Sequence, residues 1–319
     1  MRLTNQMLGF IYIYKKVNTL RFTIVALILL FLLTACQDTY VVNKQPSQNV
    51  TPENVTDAIP ANTTNETIVE IKATQVFIPR EDNLTVYFLD IKGNSVIVQY
   101  KDKSALIDSG FEEDSEKILK RIRDLGIEQL DYVFATNKQP KNIGGMPYII
   151  LRTEPKNVVE NGVPPSLNTS VIINNLIKIK NDQDFTLLDS IIKTIVVYDD
   201  GNGFSVNLDD NSLVTKIHYG NSRFLFMSDC GLDCEERLKN DDLSADVLKI
   251  SNSCESTSLA FLQKVNPKIA IVSADESFCP SIKDRFRFLN IPLYITGEKG
   301  DIFVTTDGLN YMIDWKKGG

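Results

Sequence analysis

The chain has 319 residues, 43% of them hydrophobic and 24% charged, which excludes a disordered or fibrous polymer and leaves apolar material for one substantial globular domain plus a tail. The net charge is -7, but residues 1–35 hold four basic residues (Arg2, Lys15, Lys16, Arg21) and no acidic ones, so the remainder carries 30 basic against 41 acidic residues. Binding a phosphate backbone needs Lys and Arg to displace counterions, so nucleic acid is a disfavoured partner.

At the amino terminus, Arg21 precedes the apolar run Phe22 to Leu33, which meets Leu33-Thr34-Ala35-Cys36. Basic, apolar, small residues, then Cys is the order of a lipoprotein signal, with residues 1–35 removed and a lipid on Cys36. The alternative is an uncleaved single transmembrane anchor, but spanning a bilayer takes roughly 20 apolar residues, more than this run offers. The expected location is the extracytoplasmic face of the cell membrane, with the membrane as partner through the lipid on Cys36.

Residues 36–68 are rich in Asn, Thr and Pro and poor in aromatics, a composition that cannot bury enough surface to fold. They read as a tether, able to hold a domain roughly 30 Å from its anchor as a random coil. N-x-Ser/Thr sequons stand at Asn49, Asn54, Asn62 and Asn65 within it, and at Asn83 and Asn168 beyond it. They are candidate glycosylation sites in an exported spacer.

From residue 69 to 319 the pattern becomes short apolar runs separated by turns. Strands are predicted at Thr85–Leu89, Ser95–Tyr100 and Ala105–Asp108, then a helix with Ile118, Leu119, Ile122 and Leu125 at helical spacing and Gly126 at its end. Tyr132–Ala135 is a short buried strand that feeds the loop TNKQPKNIGG. Later, Ser212–Tyr219 and Arg223–Met227 form a hairpin through Gly220-Asn221 that leads to Ser228-Asp229. Strand Asp246–Ile250, helix Thr257–Val265, strand Lys268–Ser273, helix Ser281–Leu289 and strand Leu293–Ile295 follow, with a closing hairpin near Asp307-Gly308. Meanders plus alternating helices predict an α/β protein with sheets covered by helices on their outer faces. His218, the one histidine of the chain, lies in the strand-like run LVTKIHY and reads as an ordinary strand residue.

Seven strings in order carry a resemblance: LTVYFLDIKGNSVIV, ALIDSG, LGIEQLDYVFAT, NIGG, NSLVTKIHYGNSRFLFMSD, ADVLKIS and VTTDG. Over residues 84–313 the chain resembles the metallo-β-lactamase-like domain of the competence protein ComEC and its free-standing relatives. That resemblance implies an αββα sandwich with metal at the loop ends of two sheets. In the family, the loop after the Tyr132 strand reads T-H-x-H-x-D-H-x-G-G. Here Asn137, Gln139, Lys141 and Asn142 stand at its four ligand positions, and Asn252-Ser253-Cys254-Glu255 replaces a later H-H-G-S. Amides are poor zinc ligands and an ammonium is none. Asp229 matches the carboxylate that bridges the metals, and Asp108 matches a structural aspartate. The resemblance therefore implies a site without metal or cofactor, in which Lys141 is placed to pair with Asp229 or else points into solvent.

The family map sets Cys254 in the former histidine loop and Cys279 before the next helix, which favours the pairs Cys254–Cys279 and Cys230–Cys234. Four cysteines allow three connectivities. These readings converge on a membrane-tethered pseudoenzyme whose former metal cleft, lined by Asn137, Gln139, Lys141, Asn142, Asp229, Asn252 and Ser253, takes a small polar ligand, an envelope glycan or an envelope protein, or else is an entirely structural remnant. The alternative is a metal-dependent hydrolase, nuclease-like as the ComEC resemblance implies, with a site rebuilt from Asp229, Cys230, Cys254 and Cys279. Redox work by Cys230 and Cys234 is a third reading.

Overall fold

Alternation along the strands decides the layering. In Leu84–Phe88 (β1), Leu84, Val86 and Phe88 are buried on one face while Tyr87 points to the other. In Val96–Tyr100 (β2), Val96 and Val98 share that inner face and Ile97 the outer one. Because side chains of successive strand residues point to opposite faces, each strand feeds two apolar layers at once.

The computed structural model describes residues 82–162, 173–179, 182–187, 190–195 and 211–317. After β1 and β2 come Lys103–Ile107 (β3), helix Ser115–Asp124 (α1), Tyr132–Ala135 (β4), helices Pro140–Ile143 (α2) and Met146–Thr153 (α3), and strands Asn157–Glu160 (β5) and Leu176–Lys178 (β6). Next are Gln183–Leu187 (β7), Ser190–Ile195 (β8), Val214–Tyr219 (β9), Ser222–Phe226 (β10), helix Leu232–Arg237 (α4), Val247–Lys249 (β11), helix Leu259–Val265 (α5), Ile269–Val272 (β12), helix Pro280–Phe288 (α6) and Leu293–Ile295 (β13). Helix Thr296–Lys299 (α7), Asp301–Thr306 (β14) and Tyr311–Lys316 (β15) end the described chain.

These strands form two sheets, ordered β15-β14-β1-β2-β3-β4-β5-β6 and β13-β12-β11-β10-β9-β8-β7. A central core between them joins Val86, Phe88, Val98 and Phe134 of the first to Ile217, Phe224, Phe226 and Val247 of the second. On the outer face of the first sheet, Ile118, Leu119 and Ile122 of α1 pack with Ile149 and Ile150 of α3 against Ile97, Leu106 and Val133. Phe261 and Leu262 of α5 and Ile282 and Phe286 of α6 cover the second sheet over Leu225, Leu248 and Ala270. The result is the expected αββα sandwich.

Local signals account for the ends of the covering helices. Gly126, just after α1, has φ +67°, the left-handed conformation that glycine adopts without strain. The Ser258 hydroxyl caps α5 by accepting from the Phe261 N–H at 3.1 Å, so this helix starts at Leu259 instead of the expected Thr257. The sequence pattern gives no element between Thr136 and residue 211, where the structure has α2, α3 and β5 to β8. Pro140, Gly144 and Gly145 interrupt the periodicity there, although Pro at the first helical position suits a helix start.

Parallel pairing puts β3, β4 and β5 in one direction and β10, β11, β12 and β13 in one direction. Their carboxyl ends deliver the loops that begin at Asp108, Thr136, Met227, Ile250, Ser273 and Thr296. Residues 1–81, with the signal, Cys36, the tether and Asn49, Asn54, Asn62 and Asn65, lie outside the described residues, as does Asn168. Asn83 is described and only 8% exposed, which leaves its side chain little room for a glycan. Among the described residues no helix is long and apolar enough to cross a membrane.

Candidate binding site at the strand ends

Backbone contacts first draw the loops together. The Asn94 N–H donates to the Lys141 carbonyl at 2.8 Å, the Ser109 N–H to the Asn142 carbonyl at 2.6 Å, and the Gly110 N–H to the Asn94 carbonyl at 2.8 Å. A Cβ on Gly93 would stand 2.3 Å from the Lys141 carbonyl oxygen, so only glycine lets these loops touch. The Leu213 N–H reaches across to the Thr136 carbonyl at 2.8 Å and ties the loop to the second sheet.

Asp229, with no exposed surface, sits at the centre. Its Oδ1 accepts from Asn94 Nδ2 at 3.1 Å and lies 3.0 Å from Lys141 Nζ; its Oδ2 accepts from Asn137 Nδ2 at 2.8 Å and Asn142 Nδ2 at 2.7 Å. A carboxylate has about four lone-pair sites, and here each has a donor. The amides are saturated in turn. Asn137 Nδ2 also donates to Ser212 Oγ, Asn142 Nδ2 to Asn137 Oδ1, and Asn94 Nδ2 to Asn142 Oδ1. Lys141 therefore points inward to Asp229, not into solvent, and it also donates to Asn252 Oδ1 at 3.3 Å.

Two residues that the sequence did not single out complete the cluster. Asn94 comes from the turn after β1, and Lys249, 4% exposed, donates from β11 to Asn94 Oδ1 at 3.2 Å. Burial pulls the Lys249 pKa down, while the charges of Asp229 and Asp108 pull it up. Asp108, at φ +60°, accepts from the Thr136 N–H and hydroxyl at 2.9 Å. Burial pushes its pKa up to about 7 against those hydrogen bonds, with Asp229 adding to the rise and Lys249 opposing it. The only sequence signal for Lys249 is a lysine inside the buried string Val247-Leu248-Lys249-Ile250.

Gln139 and Ser253 play lesser parts. The Gln139 N–H donates to Asn137 Oδ1 at 2.9 Å, and Ser253 Oγ accepts from the Glu255 N–H at 3.2 Å within its own loop. Lys138 turns away to Glu160, 2.6 Å distant. His218 faces Arg223 in register near the far end of β10 from Asp229, so it takes no part; burial lowers its pKa.

Cys230 pairs with Cys234, and Cys254 with Cys279, at Cα separations of 5.3 and 5.5 Å. The four sulfurs are thus bonded in two pairs, which leaves no thiolate for the rebuilt Asp/Cys metal site. Among the described residues no group of three or more His, Cys, Asp or Glu side chains could hold a metal ion. The donor set does not fit one either: one saturated carboxylate is ringed by amides and contacted by an ammonium, groups that repel or poorly ligate a divalent cation.

Beside this cluster, at the carboxyl ends of β11, β12 and β13, lies a cleft of about 770 Å³ bordered by Asn252, Cys254, Ser273 and Cys279. Ligand pockets commonly span about 300–1,000 Å³.

The metallo-β-lactamase superfamily model matches residues 90–274. Among solved structures, the chain is similar to the metallo-β-lactamase fold protein YhfI from Bacillus subtilis, with 12% identity, 70% of this chain and 100% of that chain covered, and a TM-score of 0.50. It is also similar to a Cronobacter sakazakii metallo-β-lactamase with a HARLDQ motif, with 12% identity, 52% and 71% covered, and a TM-score of 0.37. No curated protein sequence matches the chain. With more than half of the sequence matched to the family model and two sheets sandwiched between helices, the chain belongs to the metallo-β-lactamase superfamily.

Proposed function

We propose that this protein is a metal-independent binding module: a metallo-β-lactamase fold of the ComEC-like type, held at the extracytoplasmic face of the membrane by a lipid on Cys36, that uses the cleft at its strand ends to take a ligand. The observation that carries this reading is the saturation of Asp229. Three amides and the Lys141 ammonium occupy all its acceptor sites. Hydrolysis by metal-bound hydroxide needs an open coordination position and ligands that hold the ion, and this cluster supplies neither. The acidic body supports a ligand other than nucleic acid.

The test is elemental analysis for zinc, manganese and iron on purified protein, paired with a phosphodiesterase assay in added Zn²⁺ or Mn²⁺. The expected result is substoichiometric metal and no turnover. Stoichiometric metal with hydrolysis that Asp229→Asn abolishes would sink the reading and restore the hydrolase.

A further inference from the structure

The two disulfides differ in what can reach them. Cys230 and Cys234 have no exposed surface and belong to the apolar layer that also holds Met227, Leu238 and Phe278. Cys279 is 6% exposed, whereas its partner Cys254 is exposed, and both border the cleft of about 770 Å³. Thiol–disulfide exchange starts when a thiolate attacks a sulfur it can reach, and exposed bridges are the labile ones. An incoming thiolate therefore meets the second bridge, at Cys254, while the first is closed to it. The cleft has the size of a small-molecule pocket.

The helix after Cys279 gives the exchange a direction. The sulfur that is not attacked leaves as a thiolate, and it leaves faster the lower its pKa. Cys279 is the N-cap residue of α6, a helix of 9 residues whose first turn carries no carboxylate. A helix N-terminus favours negative charge and lowers the pKa of a thiol there. Cys254 lies in the loop between β11 and α5, next to Glu255, without such support. Access and leaving-group chemistry thus agree: Cys254 is the sulfur attacked and Cys279 the one released.

The surroundings allow the step. Lys92 and Lys117 line the same cleft with side chains 74% and 51% exposed, which leaves them positive surface to offer a thiolate even with Glu113 and Asp90 as neighbours. Of the other carboxylates of the cleft, Asp114 accepts from the N–H groups of Lys92, Gly93 and Phe111, and Asp275 from the N–H and hydroxyl of Ser277. Opening the bridge does not strip the loop of every tie. The Leu232 N–H donates to the Glu255 carbonyl at 3.2 Å, and Arg285 Nη1 to the Ser256 and Thr257 carbonyls at 2.7 and 2.8 Å. What is freed is the stretch from Asn252 to Cys254, and Asn252 is the side chain that accepts from Lys141.

We infer that Cys254–Cys279 is a thiol-exchange site, at which a low-molecular-weight thiol modifies Cys254 and loosens the wall of the cleft. Its thiolate attacks Cys254 Sγ; the new S–S bond forms as the Cys254–Cys279 bond breaks, and the electron pair of that bond leaves on Cys279 as a thiolate. A second thiolate then attacks the small-molecule sulfur of the mixed disulfide and releases Cys254 as a thiolate. Two thiols are oxidised to one disulfide, and the chain gains the two electrons. The exchange site does not depend on what the cleft binds, so bound metal with hydrolysis would refute the binding-module reading and leave this inference standing.

The test treats the folded full-length protein in detergent with reduced glutathione, traps free thiols with N-ethylmaleimide and maps both labels by peptide mass. Glutathione should appear on Cys254 and maleimide on Cys279, with the Cys230–Cys234 bridge opening at least tenfold more slowly. Glutathione chiefly on Cys279, both bridges opening at one rate, or no opening short of denaturation would each overturn the inference. Opening by a protein dithiol but not by glutathione would overturn it too, because the cleft would then not be admitting a small thiol. Amide exchange on the modified protein is the second measurement. It should quicken in the loop after β11 while β11 itself keeps its protection; protection lost throughout the sheet would mean that the bridge opens only by unfolding, and the exchange site would fall.

Discussion

Removing the Lys141 ammonium would leave Asp229 with three amide donors and no contacting cation, in a position without exposed surface. Breaking a fully buried pair costs about 3–5 kcal/mol. Lys141 is 22% exposed and the amides remain, so Lys141→Met should cost about 2 kcal/mol, read as a lower urea midpoint. Adding Asp229→Asn to it should cost less than the two single losses combined, because the charge left unpaired is gone. A Lys141→Met midpoint equal to wild type would mean that the pair contributes nothing. Asp108 gives a pH prediction. Its folded pKa, near 7, exceeds the ordinary carboxylate value because burial disfavours the charged form. The folded state therefore binds the proton more readily, and this contribution to stability is present below about pH 4 and lost as pH rises through 7. Asp108→Asn, which keeps an acceptor for Thr136 and tolerates the positive φ, should flatten stability against pH between 4 and 7 relative to wild type. Parallel profiles for the two proteins would refute the assignment. The sequence showed the loop residues of this cluster because Asn137 to Asn142 are neighbours in one motif. Asn94 and Lys249 were hidden because they lie 155 positions apart, in strings that read as an ordinary turn and an ordinary strand.

Strands and covering helices were the most legible elements, since period-2 and helical spacing are written in local order; Tyr132–Ala135 and Leu293–Ile295 fall where the pattern put them. What local order does not show is which loops are tied to which. Cys254 and Cys279 join the loop after β11, which carries the Lys141 partner Asn252, to the turn before α6. Closing a loop between residues 25 apart removes unfolded-chain entropy worth about 3 kcal/mol. Replacing both cysteines by serine should lower stability by about that amount. The local effect is more telling: amide exchange should quicken across residues 251–257 and 274–279, while β11 and β12, paired inside the sheet, keep their protection. Unchanged exchange in those loops would show that side-chain contacts, not the disulfide, hold the wall of the cleft.

At the scale of the whole molecule, the question is what holds the strand-end loops in place. Where a metal does so, its binding free energy is folding free energy, and a chelator removes it. Here the ties are the Asp229 amide and ammonium network, the Asp108–Thr136 bonds and two disulfides, none of which involves a dissociable ion. Millimolar EDTA should thus leave the thermal unfolding midpoint unchanged, whereas a thiol reductant should lower it by several degrees, as expected for a loss of about 3 kcal/mol in a domain of this size. Raising salt should have little effect on the cluster, because buried pairs are screened far less than exposed ones. The two treatments separate the two ways of bracing one fold. A midpoint that falls with EDTA and recovers on adding Zn²⁺ would show that a metal braces these loops, and the amide network around Asp229 would then have to rearrange to admit it.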